Sequence, residues 1–167
     1  MTDFLKTQQW KSGSEVAEFL DTYFAGRGWT ITPTTPDEER RLCLGDRHFR
    51  RGETHWHVEY KSGIQTGYTG NIFLETVSVD TRNKPGWVIT CRADLIVYAA
   101  LLNHKLLIFT PDTLRDALPG LRQQFREVAT GNQQNNGYQT HGLIVPLAYA
   151  EQHLADRIIA LKEDLTP

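Results

Sequence analysis

The run His55-Trp56-His57-Val58-Glu59-Tyr60-Lys61 alternates without exception: Trp56, Val58 and Tyr60 are large and apolar, while His55, His57, Glu59 and Lys61 are polar or charged. A period of two places successive side chains on opposite faces of a strand. One face is therefore committed to a core, and the other presents an acid and an amine. Arg41 to Arg51, with Leu42, Leu44 and Phe49, reads as the other arm of a hairpin, because Gly52-Glu53-Thr54 is a short, glycine-containing connection. Antiparallel pairing across that turn carries Asp46 to the far end of the partner strand, close to Glu59 and Lys61.

Carboxylates brought together in this way bind a hard divalent cation, Mg²⁺ or Mn²⁺, through oxygen. Such an ion stabilises charge on phosphoryl oxygens and acidifies a bound water, and an adjacent ammonium orients that water or neutralises the transition state. This is the chemistry of phosphodiester hydrolysis.

Asp46, a gap of about a dozen residues and then Glu59-Tyr60-Lys61 at the end of a strand resemble the PD-(D/E)XK nuclease superfamily over about residues 12 to 110. The resemblance takes in the preceding helix, the hairpin, Thr69 to Glu75, Gly86-Trp87 and Ala93 to Tyr98, and it is nearest to small phage-borne or bacterial members. It implies an α/β (α+β) restriction-endonuclease-like core, a mixed central sheet flanked by helices in the order αβββ-α/β. It also implies a DNA endonuclease with Asp46, Glu59 and Lys61 catalytic and Asp46 and Glu59 on the metal, and it leaves a homodimer open. Asp46 is followed by Arg47-His48-Phe49-Arg50-Arg51 and not by the aliphatic run usual in the superfamily, so Asp37, Glu38 or Glu39 stays open as the first ligand. A catalytically inactive nucleic-acid-binding or interaction module on the same fold is the alternative.

Other acids are candidates for the same site. Glu75 falls in one row with Phe73, Val77 and Val79 of the predicted strand Asn71 to Val79, where an ionised carboxylate is costly unless paired or bound to metal. Glu15 and Glu18 lie three apart on one face of the first helix, and the superfamily often carries a metal-site acid there; the first turn of a helix is also where Glu serves the macrodipole. Gln65 and Tyr68 in a Gly- and Thr-rich loop, Ser62 to Gly70, and Asn71 directly after it, are placed to meet phosphate or base. His55, His57 and Glu59 share a strand face and suit iron or zinc, given a further ligand from elsewhere.

At 167 residues, 40% hydrophobic and 23% charged, the chain has the size and apolar content of one globular domain. Its charge of −2 argues against coating of nucleic acid, which needs many phosphate-neutralising cations. A local patch, Arg40, Arg41, Arg47, Arg50 and Arg51, stands beside the candidate site. Cys43 and Cys91 are isolated, as reduced cytoplasmic thiols are, and no apolar run approaches the roughly 20 residues that cross a bilayer.

The remaining chain reads as follows. Phe4, Leu5 and Trp10 belong to an N-terminal arm. Ser12-Gly13-Ser14 caps a helix, Glu15 to Ala25, with Val16, Phe19, Leu20, Tyr23 and Phe24 inward. Trp29 to Thr32 is a strand, Trp87 to Thr90 is extended, and Leu95 to Ala100 with Leu106 to Phe109 form a hairpin. Two short helices follow Thr110-Pro111-Asp112, kinked at Pro119-Gly120 and carrying Leu114, Leu118, Leu121, Phe125 and Val128. Gly131 to Thr140 is a polar loop, Gly142 to Leu147 an edge strand, and Ala148 to Lys162 a closing helix with His153 on its surface.

Overall fold

A computed structural model describes residues 12–130 and 137–161. The N-terminal arm, most of the Gly131 to Thr140 loop and Lys162 lie outside the described residues.

Gly13–Ala25 forms α1, opened by a reciprocal capping box in which the Ser12 hydroxyl accepts the Glu15 N–H and the Glu15 carboxylate accepts the Ser12 N–H. Its inward face, Val16, Leu20, Tyr23 and Phe24, is buried. Strands β1 (Thr30–Pro33), β2 (Arg47–Arg51) and β3 (Thr54–Ser62) follow as an antiparallel meander, with the short helix α2 (Pro36–Arg40) between the first two. The sheet continues through β6 (Leu95–Ala100), parallel to β3, and then β7 (Lys105–Phe109) and β10 (Arg157–Ala160), both antiparallel.

Alternation along these strands sends side chains to two cores. Val58, Tyr60, Val97, Ala99, Leu106 and Ile108 pack beneath α1, whereas Ile96, Tyr98, Leu107 and Phe109 face the other way. The second face is covered by α5 (Pro111–Gln124) and by a second sheet, in the order β5 (Lys84–Pro85), β4 (Asn71–Val79), β9 (Thr140–Pro146), β8 (Glu127–Thr130). Truncating a fully buried residue such as Leu20 or Leu107 to alanine is expected to cost about 2–5 kcal/mol.

The mixed α/β class with helices against a mixed sheet is as expected, but the strands divide between two sheets and not one. Several elements also differ from their predicted form. Ser62 to Gly70 contains a helical turn, α3 (Thr66–Thr69), and Trp87–Thr90 is the helical turn α4. Pro119 leaves α5 a single helix, because Leu114, Leu118 and Leu121 bury one continuous stripe on both sides of it. Phe125 ends that helix and Val128 belongs to β8, where it pairs with Gly142. The closing helix is only α6 (Leu147–His153), with His153 exposed as predicted. Beyond it Arg157–Ala160, with its β-branched Ile158 and Ile159, satisfies the open backbone edge of β7.

The β4 row containing Glu75 is half-buried, and the core row is Ile72, Leu74 and Thr76. Among the described residues no helix is long and apolar enough to cross a membrane.

Candidate active site

Glu59 and Lys61 point from β3 to the face opposite Val58 and Tyr60, into a cleft of about 430 Å³ that β4 and α4 close from the far side. Asp46, Glu59, Lys61 and Glu75 all line it. They arrive from three places: the loop before β2, the end of β3, and β4.

Asp46 is held by backbone on both sides. Its N–H donates to Val58 O at 2.9 Å, its carbonyl accepts the Thr34 N–H at 3.1 Å, and its Oδ2 accepts the Tyr60 N–H at 2.7 Å. This approach requires Gly45, whose φ is +92° and whose added Cβ would stand 2.7 Å from the Val58 carbonyl. Glu75 is set by a register shift in β4 beside it, a bulge that re-aims side chains. Gly86 sits where a Cβ would come within 2.2 Å of the Glu75 carbonyl oxygen, and its own carbonyl then starts α4 by accepting from Ile89 and Thr90. The Trp87 ring is thereby carried over Lys61, whose Nζ lies 5.4 Å from the ring centroid.

The electrostatics follow from crowding. Lys61 Nζ is in direct contact with the Glu59 carboxylate, and their side chains are 25% and 16% exposed. Burial raises the Glu59 pKa, Lys61 opposes that rise, and Asp46 adds to it. Glu75 is likewise raised by burial, against the pull of Lys61, the Trp87 N–H, Ser78 and Lys84. Burial disfavours the charge on Lys61, but Glu59, Asp46 and Glu75 outweigh it and raise its pKa above the ordinary range. Exposed Glu39, Arg40 and Lys84 form part of the rim. Cys91 lines the wall as a thiol, pushed up to about 11 by burial; it and Cys43 are unpaired.

Compared with protein-family models, curated proteins and solved structures, the chain has no match.

The other candidates lie elsewhere. Glu15 serves the cap of α1, and Glu18 is exposed. The helix acid that does reach the hairpin is Asp21, which accepts from Tyr60 Oη at 3.0 Å and from Arg47 Nε at 3.1 Å, on the α1 side of the sheet. Its position bordering the apolar stripe of α1 is the only sequence signal for it. Gln65 and Asn71 line a separate hollow, and Asn71 Nδ2 donates to Thr69 O at 2.9 Å. Of the three acids in α2, Asp37 is held by Arg41 Nε at 2.6 Å and Glu38 by its own cap and by His48, so only Glu39 reaches the cleft. The arginine patch is likewise dispersed: Arg40 is at the rim, Arg47 is on Asp21, and Arg51 lies over the Trp29 ring at 4.3 Å.

Proposed function

We propose that the chain is a metal-dependent phosphodiester hydrolase, a DNA endonuclease of the restriction-endonuclease-like kind. The observation that carries this reading is the convergence of Asp46, Glu59, Glu75 and Lys61 on one cleft. The order α1 followed by the antiparallel meander β1-β2-β3 supports it as well, since the PD-(D/E)XK resemblance implies a helix and then three such strands.

Asp46, Glu59 and Glu75 fit a hard cation, Mg²⁺ or Mn²⁺, because they offer carboxylate oxygens only, line one cleft, and all three act on the Lys61 ammonium between them. When bound there, such an ion would supply Lewis-acid activation of a phosphoryl oxygen and a water of lowered pKa. The chain's own contribution is positional. The Tyr60 N–H fixes one Asp46 oxygen and leaves the other for a ligand. Lys61 keeps its proton and presents three N–H donors beside Glu59, suited to hold a phosphate oxygen or the attacking water. Trp87 shields the pair from bulk solvent, and exposed Arg40 and Lys84 receive the polyanion at the rim.

A purely binding module on this fold is disfavoured by the same geometry. Carboxylates in the floor of a cleft repel phosphate unless a cation stands between them. A cytoplasmic setting goes with this reading and suits two unpaired thiols.

The test is cleavage of plasmid and branched DNA in Mg²⁺ or Mn²⁺. Wild-type protein is expected to nick or cut, and Lys61→Ala and Glu59→Gln to do so at least 100-fold more slowly. Equal cutting by Lys61→Ala would remove the role given to Lys61, and the lack of any divalent-dependent cleavage or thermal shift would remove the proposal.

A further inference from the structure

A second cluster stands on the same hairpin, outside the carboxylate cleft. His48 of β2 pairs directly with His57 of β3, and His55 lies two residues before His57 on the same strand face. One ring nitrogen from each of the three comes within 4.8 Å of the other two. His48 Nδ1 is 2.9 Å from His55 Nε2, and the two rings are stacked at 5.1 Å. We propose that His48, His55 and His57 form a binding site for a zinc-type divalent transition ion, with Glu38 and Asp94 as its supporting carboxylates.

Chemistry separates this site from the first. Three imidazoles and no directly ligating carboxylate select zinc-like ions over Mg²⁺. Zn–N distances of about 2.0–2.1 Å place tetrahedral ligand pairs roughly 3.3 Å apart, and the spacing here, from 2.9 Å to within 4.8 Å, brackets that value.

His48 has the outer-shell carboxylate partner that metal-bound imidazoles take. His48 Nε2 faces Glu38 Oε2 at 3.1 Å. An ionised carboxylate only accepts, so the hydrogen sits on Nε2 and the Nδ1 lone pair is turned toward His55. His57 is flanked on both edges, Nε2 by Glu38 at 3.8 Å and Nδ1 by Asp94 at 3.6 Å. Asp94 is itself pinned, since its Oδ2 accepts the His57 N–H at 2.7 Å and its N–H donates to His57 O at 2.9 Å. His48 and His57 are largely covered, whereas His55 is exposed. Three protein ligands with one open side leave the fourth position to water or an anion. The metal would join β2, β3 and α2 at one point.

The experiment uses the full chain without a polyhistidine tag, freed of metal by chelation and titrated with Co²⁺ and then Zn²⁺. Wild-type protein is expected to develop the visible absorption of tetrahedral cobalt, saturating at one such site per chain whatever the carboxylate cleft takes up, and to lose it to Zn²⁺. His55→Ala, at an exposed position that does not threaten the fold, is expected to weaken binding at least 100-fold. Glu38→Gln should weaken it by about 10–100-fold, as outer-shell changes do, without altering the spectrum. Glu59→Gln should leave it unchanged. The proposal is overturned if the wild type shows no stoichiometric tetrahedral site, if His55→Ala binds like the wild type, or if Glu59→Gln abolishes the spectrum, which would place the ion in the carboxylate cleft.

Discussion

The Asp46 carboxylate accepts the Tyr60 N–H at 2.7 Å, so an acid from the loop before β2 is fastened to the strand that carries Glu59 and Lys61 on either side of Tyr60. The bond uses backbone, and it therefore survives any change to the Tyr60 side chain. What it does not survive is a shift of the loop.

Gly45→Ala tests that dependence. A residue with φ near +92° and a Cβ 2.7 Å from the Val58 carbonyl must move the loop away from β3. Strain of this kind costs about 1–3 kcal/mol. Thermal denaturation should show the loss, and Mn²⁺ should no longer raise the melting temperature. A variant with wild-type Mn²⁺ stabilisation would show that Asp46 is not a ligand.

Tyr60→Phe is the control on the opposite face. It deletes the hydroxyl bond to Asp21 and leaves Arg47 to hold that acid, so the expected cost is about 1 kcal/mol in urea denaturation. Divalent-dependent cleavage should be unaffected. A large fall in cleavage would mean that the two faces of the sheet are coupled.

Stability should depend on pH in a definite direction. Glu59 and Glu75 have folded-state pKa values above the ordinary 4.5, so the folded chain holds their protons longer than the unfolded chain does. Metal-free protein therefore loses stability as pH rises from about 4.5 through those raised values. Lys61, raised above 10.5, adds a second loss at strongly alkaline pH. Glu38, drawn down to about 2 by the Thr35 N–H and hydroxyl and by His48, has the opposite sign, its contribution vanishing as pH falls from 4.5 toward 2. Melting temperatures in chelator between pH 5 and 8 should decline, less steeply for Glu59→Gln, and Mg²⁺ or Mn²⁺ should flatten the decline.

Lys61→Met should destabilise the metal-free protein by about 1–3 kcal/mol, because it leaves the half-buried Glu59 carboxylate without its partner. Excess Mn²⁺ should restore most of that loss while cleavage stays down. If Mn²⁺ restores nothing, the carboxylates do not bind it.

Cys91, with its thiol near 11, should resist alkylation at pH 8 until the protein is unfolded, and Cys91→Ala should retain cleavage. Rapid native-state alkylation with loss of activity would instead point to a thiol nucleophile.

The hairpin was legible in the sequence because its signals are local: strict alternation in β3, a glycine turn, and a register counted outward from it that brings Asp46 to Glu59. Glu75 was legible as an acid in an apolar row, although that row is half-buried and Glu75 itself turns into the cleft. Elements decided by distant partners were not. The pairing of β4 with β9 across the chain sets up a second sheet that no local period announces. Likewise β10 is extended because β7 has an open edge, and Trp87 is helical because Gly86 fits against Glu75. Asp21 stayed hidden since a helix acid next to an apolar stripe usually faces water.

The parallel pairing of β3 with β6 has a kinetic consequence. A hairpin closes on itself, but a parallel neighbour must wait for the intervening chain, here the segment that also supplies Glu75 and Trp87. Glu59 and Lys61 are thus joined by Glu75 and Trp87 only when the slowest, least local contacts form. A chain still emerging from the ribosome carries Glu59 and Lys61 on an unfinished sheet, before β6 and β9 exist to complete the cleft.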